Sequence, residues 1–300
     1  MSHGVRAAER NRTARGEACY NEVSVQESSR RWTLDPDDPR APTREVWDAM
    51  TPEERAHVVA TLPSDFPPNE ANPPEGDRHY QAYSTARETL TRWFRERGKS
   101  VYVSGNLPVY YPGERMFSPD VIAVLDVEPH ERESWIVSNE GGRGLDFALE
   151  IIVSGKRRKD LKDNVERYAQ LQISEYFVFD RSRASLHAYR LPAASPSGAP
   201  RQYERLVPQA GRYASGVLGL DLMLESGKLR FSVGQAQLLD PSELLGKLEG
   251  LLNGAEQRAT ELEAALEEEQ QRREEEQQRR EAAEAEVRAL RAELERLRQR

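Results

Sequence analysis

From Leu245 to Leu297 the sequence keeps a seven-residue apolar repeat, and no other feature constrains the fold as much. Leu245, Leu248, Leu252, Ala255, Ala259, Leu262 and Leu266 alternate by three and four, and the same register returns at Ala283, Val287, Leu290, Leu294 and Leu297. A repeat of this kind needs one uninterrupted helix whose stripe seats against another helix, the signature of a coiled coil. At ~1.5 Å per residue such a helix extends on the order of 80 Å, too long for a layer of a globular domain. Between its apolar ends the chain repeats itself, reading EEEQQRR at 267–273 and again at 274–280. Glu268 and Glu269 thus precede Arg272 and Arg273 by four residues, the favourable order for helix ion pairs worth ~0.2–0.5 kcal/mol each. The repeat also puts Glu269, Arg273, Glu276 and Arg280 on the seam, which weakens association at the centre. Leucine stripes left in water cost ~25 cal/mol per Å², so the expected assembly is a homodimer through residues 241–300. A single ion-paired helix, or one folded back on its own body, is the alternative.

The remainder reads as one folded body behind a less regular N-terminus. Apolar residues make up 37 % of the 300-residue chain and charged residues 31 %, so part of it must be solvated. Residues 1–43 show little periodicity, and Asp35-Pro36-Asp37-Asp38-Pro39 with Pro42 resists helix and strand, which predicts a flexible arm. Residues 44–78 are expected to hold a short helix and a proline-rich linker. Thr51-Pro52-Glu53-Glu54 is a helix start, with threonine as N-cap, proline at the first position and Glu54 closing a capping box. The body is expected over 79–240. The first polar stretch lacks the apolar segment of a secretory signal, and no apolar run is long enough to span a membrane, so a cytoplasmic protein is expected. The single Cys19 cannot build a disulfide within the chain or a cysteine zinc site. Of the net charge of −8, the segment after Asp240 carries −5 and the rest −3. A body so close to neutral is no polycation, so any DNA contact has to rest on a local patch.

Within the body, Tyr83, Ala86, Leu90, Trp93 and Phe94 recur at helical spacing, and Gly98 stands where that helix would end. Strands are expected at 101–103, 108–111, 120–125, 135–137, 145–153, 176–179 and 186–189, with two short ones near 217–224 and 228–233. A second helix should begin near Asp160 and turn Leu161, Val165, Tyr168 and Leu171 to one face. Two carboxylates stand out. Asp120 opens a strand after Pro119, and Glu150 sits in the apolar run from Leu145 to Val153, flanked by Phe147, Leu149, Ile151 and Ile152. A carboxylate buried there needs a basic partner or a metal ion. If the two strands pair, Asp120 and Glu150 converge, and two hard oxygen ligands suit Mg²⁺ or Mn²⁺, which can activate water and offset charge on a phosphodiester. The plainer reading has Glu150 facing solvent and Asp120 capping a turn. The five histidines form no H-x-x-x-H pair, and Ser154-Gly155-Lys156 lacks the spacing of a phosphate loop.

The segments GERMFSPDVI at 113–122, DFALEI at 146–151 and NVERYAQLQISEYFVFD at 164–180 together resemble the Uma family of restriction endonucleases, within the PD-(D/E)XK nuclease superfamily. The resemblance covers roughly 79–233. It implies an α/β restriction-endonuclease-like core, a mixed sheet flanked by helices, to which this chain adds the coiled coil. It implies an endonuclease that hydrolyses DNA with Mg²⁺ or Mn²⁺, with Asp120 and Glu150 as metal ligands and a backbone carbonyl near Ile151 completing the site. His79 matches a histidine common near the family's first helix. The sequence departs from the pattern at the lysine. Ile152 stands two residues after Glu150, and Asn164 stands four before the tyrosine where the family often places lysine. A neutral amide cannot supply the ammonium charge. Lys156, Lys159 and Lys162 are the substitutes, with Lys159 taken as the third catalytic residue. The run Lys156, Arg157, Arg158 and Lys159 is the expected contact for DNA phosphates. The alternative function is a degenerate nuclease fold that binds or scaffolds and oligomerises through its tail.

Overall fold

The computed structural model describes residues 32–65, 76–154, 157–192 and 201–298. Lys156, the first part of the expected arm and most of the proline-rich linker lie outside them. The most apolar run of the sequence becomes the strand around which the body is built. All six residues of Phe147–Ile152 (β5) are buried. Its partners are Val101–Ser104 (β1), Val121–Leu125 (β3), Glu175–Asp180 (β6), Ser185–Arg190 (β7) and Glu204–Arg205 (β8), in the order β1-β3-β5-β6-β7-β8. β5 runs antiparallel to β3, with Leu149 opposite Val121, and parallel to β6, with Glu150 opposite Val178. The sheet is therefore mixed, as expected.

Side-chain alternation divides β5 between two cores. Phe147, Leu149 and Ile151 join Leu90, Trp93 and Phe94 from the helix Gly76–Glu96, together with Leu220, Leu222 and Phe231. Those last residues belong to a second sheet, formed by Arg212–Ser215 (β9), Leu220–Glu225 (β10), Lys228–Val233 (β11) and Ala236–Gln237 (β12). Ala148 and Ile152 face the other way, toward Phe117, Trp135, Tyr168, Ile173 and Tyr176. Here the helix Asn164–Gln170 and the small parallel pair Val109–Tyr110 (β2) and Trp135–Ile136 (β4) complete the layer.

Residues 32–43 correct the expectation of a free arm, since Ala41 is 2 % exposed and bridges to Pro112. Prolines bar regular structure there, yet an extended segment can still bury apolar side chains, and a search for periodicity does not see that. Two helices follow, Arg44–Ala49 (α1) and Pro52–Thr61 (α2), so Gly76–Glu96 is α3 and Asn164–Gln170 is α4. Trp47, Val58 and Leu62 pack with Tyr110, Met116 and Ile136 in a third cluster. The Thr51 capping box forms as read, Thr51 Oγ1 accepting from the Glu54 amide and Glu54 accepting from the Thr51 amide.

The chain divides into two units, 1–238 and 239–300. The second is a single helix, Pro241–Arg298 (α5). Asp240 caps it, accepting from the Glu243 amide at 2.9 Å while Glu243 accepts from the Asp240 amide at 2.9 Å. Its seam positions are exposed along the whole length, from Leu245 to Leu297. Of the seam charges, Glu269 pairs with Arg273 at 3.0 Å and Glu276 with Arg280 at 2.7 Å, each within the helix itself. No helix among the described residues is long and apolar enough to cross a membrane.

One glycine sets the position of Asp120. A Cβ on Gly105 would lie 2.5 Å from the Asp120 carbonyl oxygen and 3.0 Å from the Tyr83 ring. The Gly105→Ala variant is expected to lose about 1–3 kcal/mol of stability by overpacking against backbone. Urea unfolding of the variant beside the wild type measures it.

Candidate active site

The two carboxylates singled out in the sequence do converge. Asp120 immediately precedes β3, next to β5, and its Oδ2 accepts the Ile151 amide at 2.6 Å. Its Oδ1 lies 3.0 Å from His79 Nε2 at the start of α3. The His79 ring stacks on Tyr83, which in turn packs against Gly105. In an extended strand the amide and carbonyl of one residue point the same way. The Ile151 carbonyl therefore shares the Asp120 side of β5, where the family resemblance places a third ligand.

Glu150 does not face solvent; it is 6 % exposed beneath α4. Tyr168 donates its O–H to Glu150 Oε1 at 2.9 Å, and Asn164 Nδ2 donates to the same oxygen at 3.3 Å. Asn164 Nδ2 also donates to Asp160 Oδ1 at 3.1 Å. With a carboxylate on either side, the amide must present its nitrogen, the only donor it has. Position 164, where the family often carries lysine, thus holds a neutral bridge between two acids.

Asp160 is the participant that sequence reasoning missed. It was read as an ordinary helix start, whereas residues Lys159–Asp163 form one π-helical turn. Tyr176 Oη donates to the Asp160 carbonyl at 2.9 Å and holds that turn against β6. Single π turns are often found at functional sites. The available signal was the spacing of four between Asp160 and Asn164, which places both on one helical face.

The electrostatics follow from this crowding. Burial pushes the Glu150 carboxyl well above its usual range, and the charges of Asp120 and Asp160 push it further, while Lys159 and the Tyr168 hydroxyl oppose them. Burial, and then the neighbouring Glu150, raises the Tyr168 phenol, which remains a neutral donor. Lys159 is exposed on the π turn, and its positive charge lowers the Glu150 pKa. Of the basic run, Lys156 lies outside the described residues, and Arg157 and Arg158 contact other acids. Arg157 gives its Nη2 to Asp180 Oδ2 and to Ser182, so its charge is taken up inside the body. Arg158 is exposed and lies 3.6 Å from Asp163. Lys162 is exposed on the same turn.

Among the described residues, no group of three or more His, Cys, Asp or Glu is arranged to hold a metal ion. The donor set still fits Mg²⁺ or Mn²⁺, which take one or two protein carboxylates and keep several waters. A buried carboxylate made harder to ionise by two others is what a divalent cation would relieve.

A raised carboxylate pKa has a definite consequence for stability. Above the unfolded value of 4.5 the folded chain binds the proton more tightly than the unfolded chain, so this contribution is present at low pH and is lost as pH rises through the folded pKa. Glu150→Gln keeps an acceptor for Tyr168 and Asn164 and removes the charge. In chelator, thermal unfolding of the variant is expected at a higher temperature than wild type at pH 8, with the gap closing toward pH 4.5.

The sequence matches the Uma2 family, described as "Putative restriction endonuclease", over residues 70–223. No curated protein matches the chain. Among solved structures it is similar to a putative nuclease belonging to DUF820 from Anabaena variabilis, at 10 % identity and a TM-score of 0.36, covering 49 % of this chain and 75 % of that one. The family match takes in just over half of the chain, including Asp120, Glu150, Asn164 and Tyr168. The resemblance read in the sequence is borne out: the chain belongs to the Uma2 family.

Proposed function

We propose that the body is a metal-dependent endonuclease that hydrolyses DNA phosphodiester bonds, with Asp120 and Glu150 holding Mg²⁺ or Mn²⁺. The observation that carries this reading is Asp120, just before β3, bonded to the amide next to a buried Glu150 on β5, where the charges of Asp120 and Asp160 both raise the Glu150 pKa. A bound ion would supply Lewis-acid charge and a more acidic water. The chain's own residues do the positioning. Tyr168 and Asn164 fix Glu150 Oε1, and the Ile151 amide and His79 fix the two oxygens of Asp120. These bonds leave Glu150 Oε2 and a second lone pair on each Asp120 oxygen as acceptor capacity for an ion. Lys159 is the cation assigned to the developing negative charge, since Asn164 cannot carry it.

One observation favours a second reading, a degenerate nuclease fold that binds or scaffolds. Position 164 holds a neutral amide tied to two carboxylates, and Ile152 is buried. Plasmid nicking by the full chain separates the two. Nicking that requires Mg²⁺ and falls to background in Asp120→Ala is expected. Activity unchanged in that variant would sink the assignment. Mn²⁺ binding seen by calorimetry without nicking would favour the scaffold.

The helix α5 is proposed to join two copies of the chain. Its leucines are 53–73 % exposed from Leu245 to Leu266 and 54–65 % from Leu290 to Leu297, an apolar stripe that pairing would remove from water. A strict seven-residue spacing on a helix of 3.6 residues per turn keeps such a stripe together only in a left-handed supercoil. Two acid sites could then address both strands of one duplex. Light scattering is expected to give a dimer mass for the full chain and a monomer mass for a chain ending at Asp240. Monomers in both cases would leave α5 as a single ion-paired helix.

A further inference from the structure

The charges in the seam of α5 determine how a second copy can lie against it. Seam positions are of two kinds, one reached after a step of three residues and the other after a step of four. Glu269 and Glu276 both occupy the first kind, and Arg273 and Arg280 both occupy the second. In a parallel pair of helices each kind faces its own kind across the seam. No parallel register therefore sets a seam glutamate opposite a seam arginine, and the in-register pair stacks like charge on like charge at four successive layers. Reversing one helix exchanges the two kinds, so that glutamate can meet arginine.

One antiparallel register uses all of these charges. With Arg273 opposite the partner's Glu276, Glu269 falls opposite the partner's Arg280. A slip of one heptad in either direction keeps half of the pairings and sets the other charges against leucine, alanine or valine. Within each helix Glu269 already pairs with Arg273 at 3.0 Å and Glu276 with Arg280 at 2.7 Å. Arg273, Glu276 and Arg280 are exposed and Glu269 is half-buried. A guanidinium has several donors and a carboxylate several acceptor sites, so contacts across the seam add to the internal pairs. Glu269 and Arg273 of one copy, with Glu276 and Arg280 of the other, then alternate in sign round a closed ring.

Side-chain size points the same way. In this register Ala255, Ala259 and Ala283 face the partner's Leu294, Leu290 and Leu266, small against large. An in-register parallel pair would set each alanine against its own copy. Two features oppose the antiparallel arrangement. Glu263 lies near the partner's Glu284 at its rim, whereas a parallel pair would bring Glu263 to Arg258. Leu245 and Leu248 also stay outside the overlap, which runs from Leu252 to Leu297. Exposed rim pairs contribute little, while like charges held face to face in an interface oppose association strongly. The seam decides.

We propose that two copies of α5 associate antiparallel, with Arg273 of each opposite Glu276 of the other, a refinement that rests on the dimer proposed above. The two Pro241 ends of the pair then stand on the order of 100 Å apart. Two bodies acting on one duplex would meet it at separate places.

The test is disulfide trapping in the full chain, with Cys19→Ser as the background. Leu262→Cys mixed and exchanged with Val287→Cys is expected to give a covalent dimer, and neither variant alone is expected to give one. Self-linking by each variant alone, the parallel result, would overturn the proposal. A cysteine in the seam can loosen it, so a spin label on Ala289→Cys, exposed and off the seam, supplies a second reading. The antiparallel pair holds two such labels about 45 Å apart, and a parallel pair holds them within about 20 Å. Light scattering separates this from the parent reading. A dimer mass with the parallel result removes the orientation and keeps the dimer, whereas a monomer mass removes both.

Discussion

The structure depends on one expensive placement, a carboxylate buried in the central strand of a six-stranded sheet. An isolated ionised carboxylate costs several kcal/mol to bury even after relaxation, and Glu150 lies among strand residues that are all buried. The surroundings are arranged to tolerate it. A tyrosine hydroxyl and an asparagine amide donate to one oxygen, and both come from α4. The π turn sets where that helix begins, and Tyr176 of the neighbouring parallel strand holds the turn. The helix, the turn and two strands are thus positioned around a single functional group.

What surrounds Glu150 is also more acidic than its burial alone would require. Asp120 and Asp160 both raise its pKa, and position 164, where the family resemblance implies a lysine, offers an amide instead. An ammonium at 164 would neutralise one of these acids internally. An amide satisfies their hydrogen bonds and leaves the charge in place. The positive charge acting on Glu150 comes instead from Lys159 on the π turn. It is consistent with an Uma2 body whose mean charge is close to neutral and whose basic groups are concentrated in small sets.

The helix α5 obeys a different constraint. Nothing along it is buried, so its helicity rests on intrinsic propensity, the Asp240 cap and its ion pairs. Each pair contributes a few tenths of a kcal/mol, while three glycines at Gly246, Gly250 and Gly254 each cost ~1 kcal/mol relative to alanine. The leucine seam is the term large enough to dominate, and it acts only when a second surface covers it.

Features governed by neighbours in the chain were legible in the sequence itself. The heptads, the Thr51 capping box, the strands carrying Asp120 and Glu150, and the tyrosine helix all follow from local periodicity, caps and branched residues. The acid pair was legible because a glutamate in an apolar run is a local anomaly. Only the tertiary structure decided which cations face the acids. Arg157 lies in the predicted basic run but pairs with Asp180, more than twenty residues away. Arg40 stands in a proline-rich segment with no periodicity, yet bonds to Gly113, 73 residues further on. Asp160 bonds Asn164 from a π turn, and Tyr176 from β6 anchors that turn. Partners such as these are chosen by the pairing of distant strands and by the competition of each charge for a counter-ion. Both are settled only when the whole chain has packed.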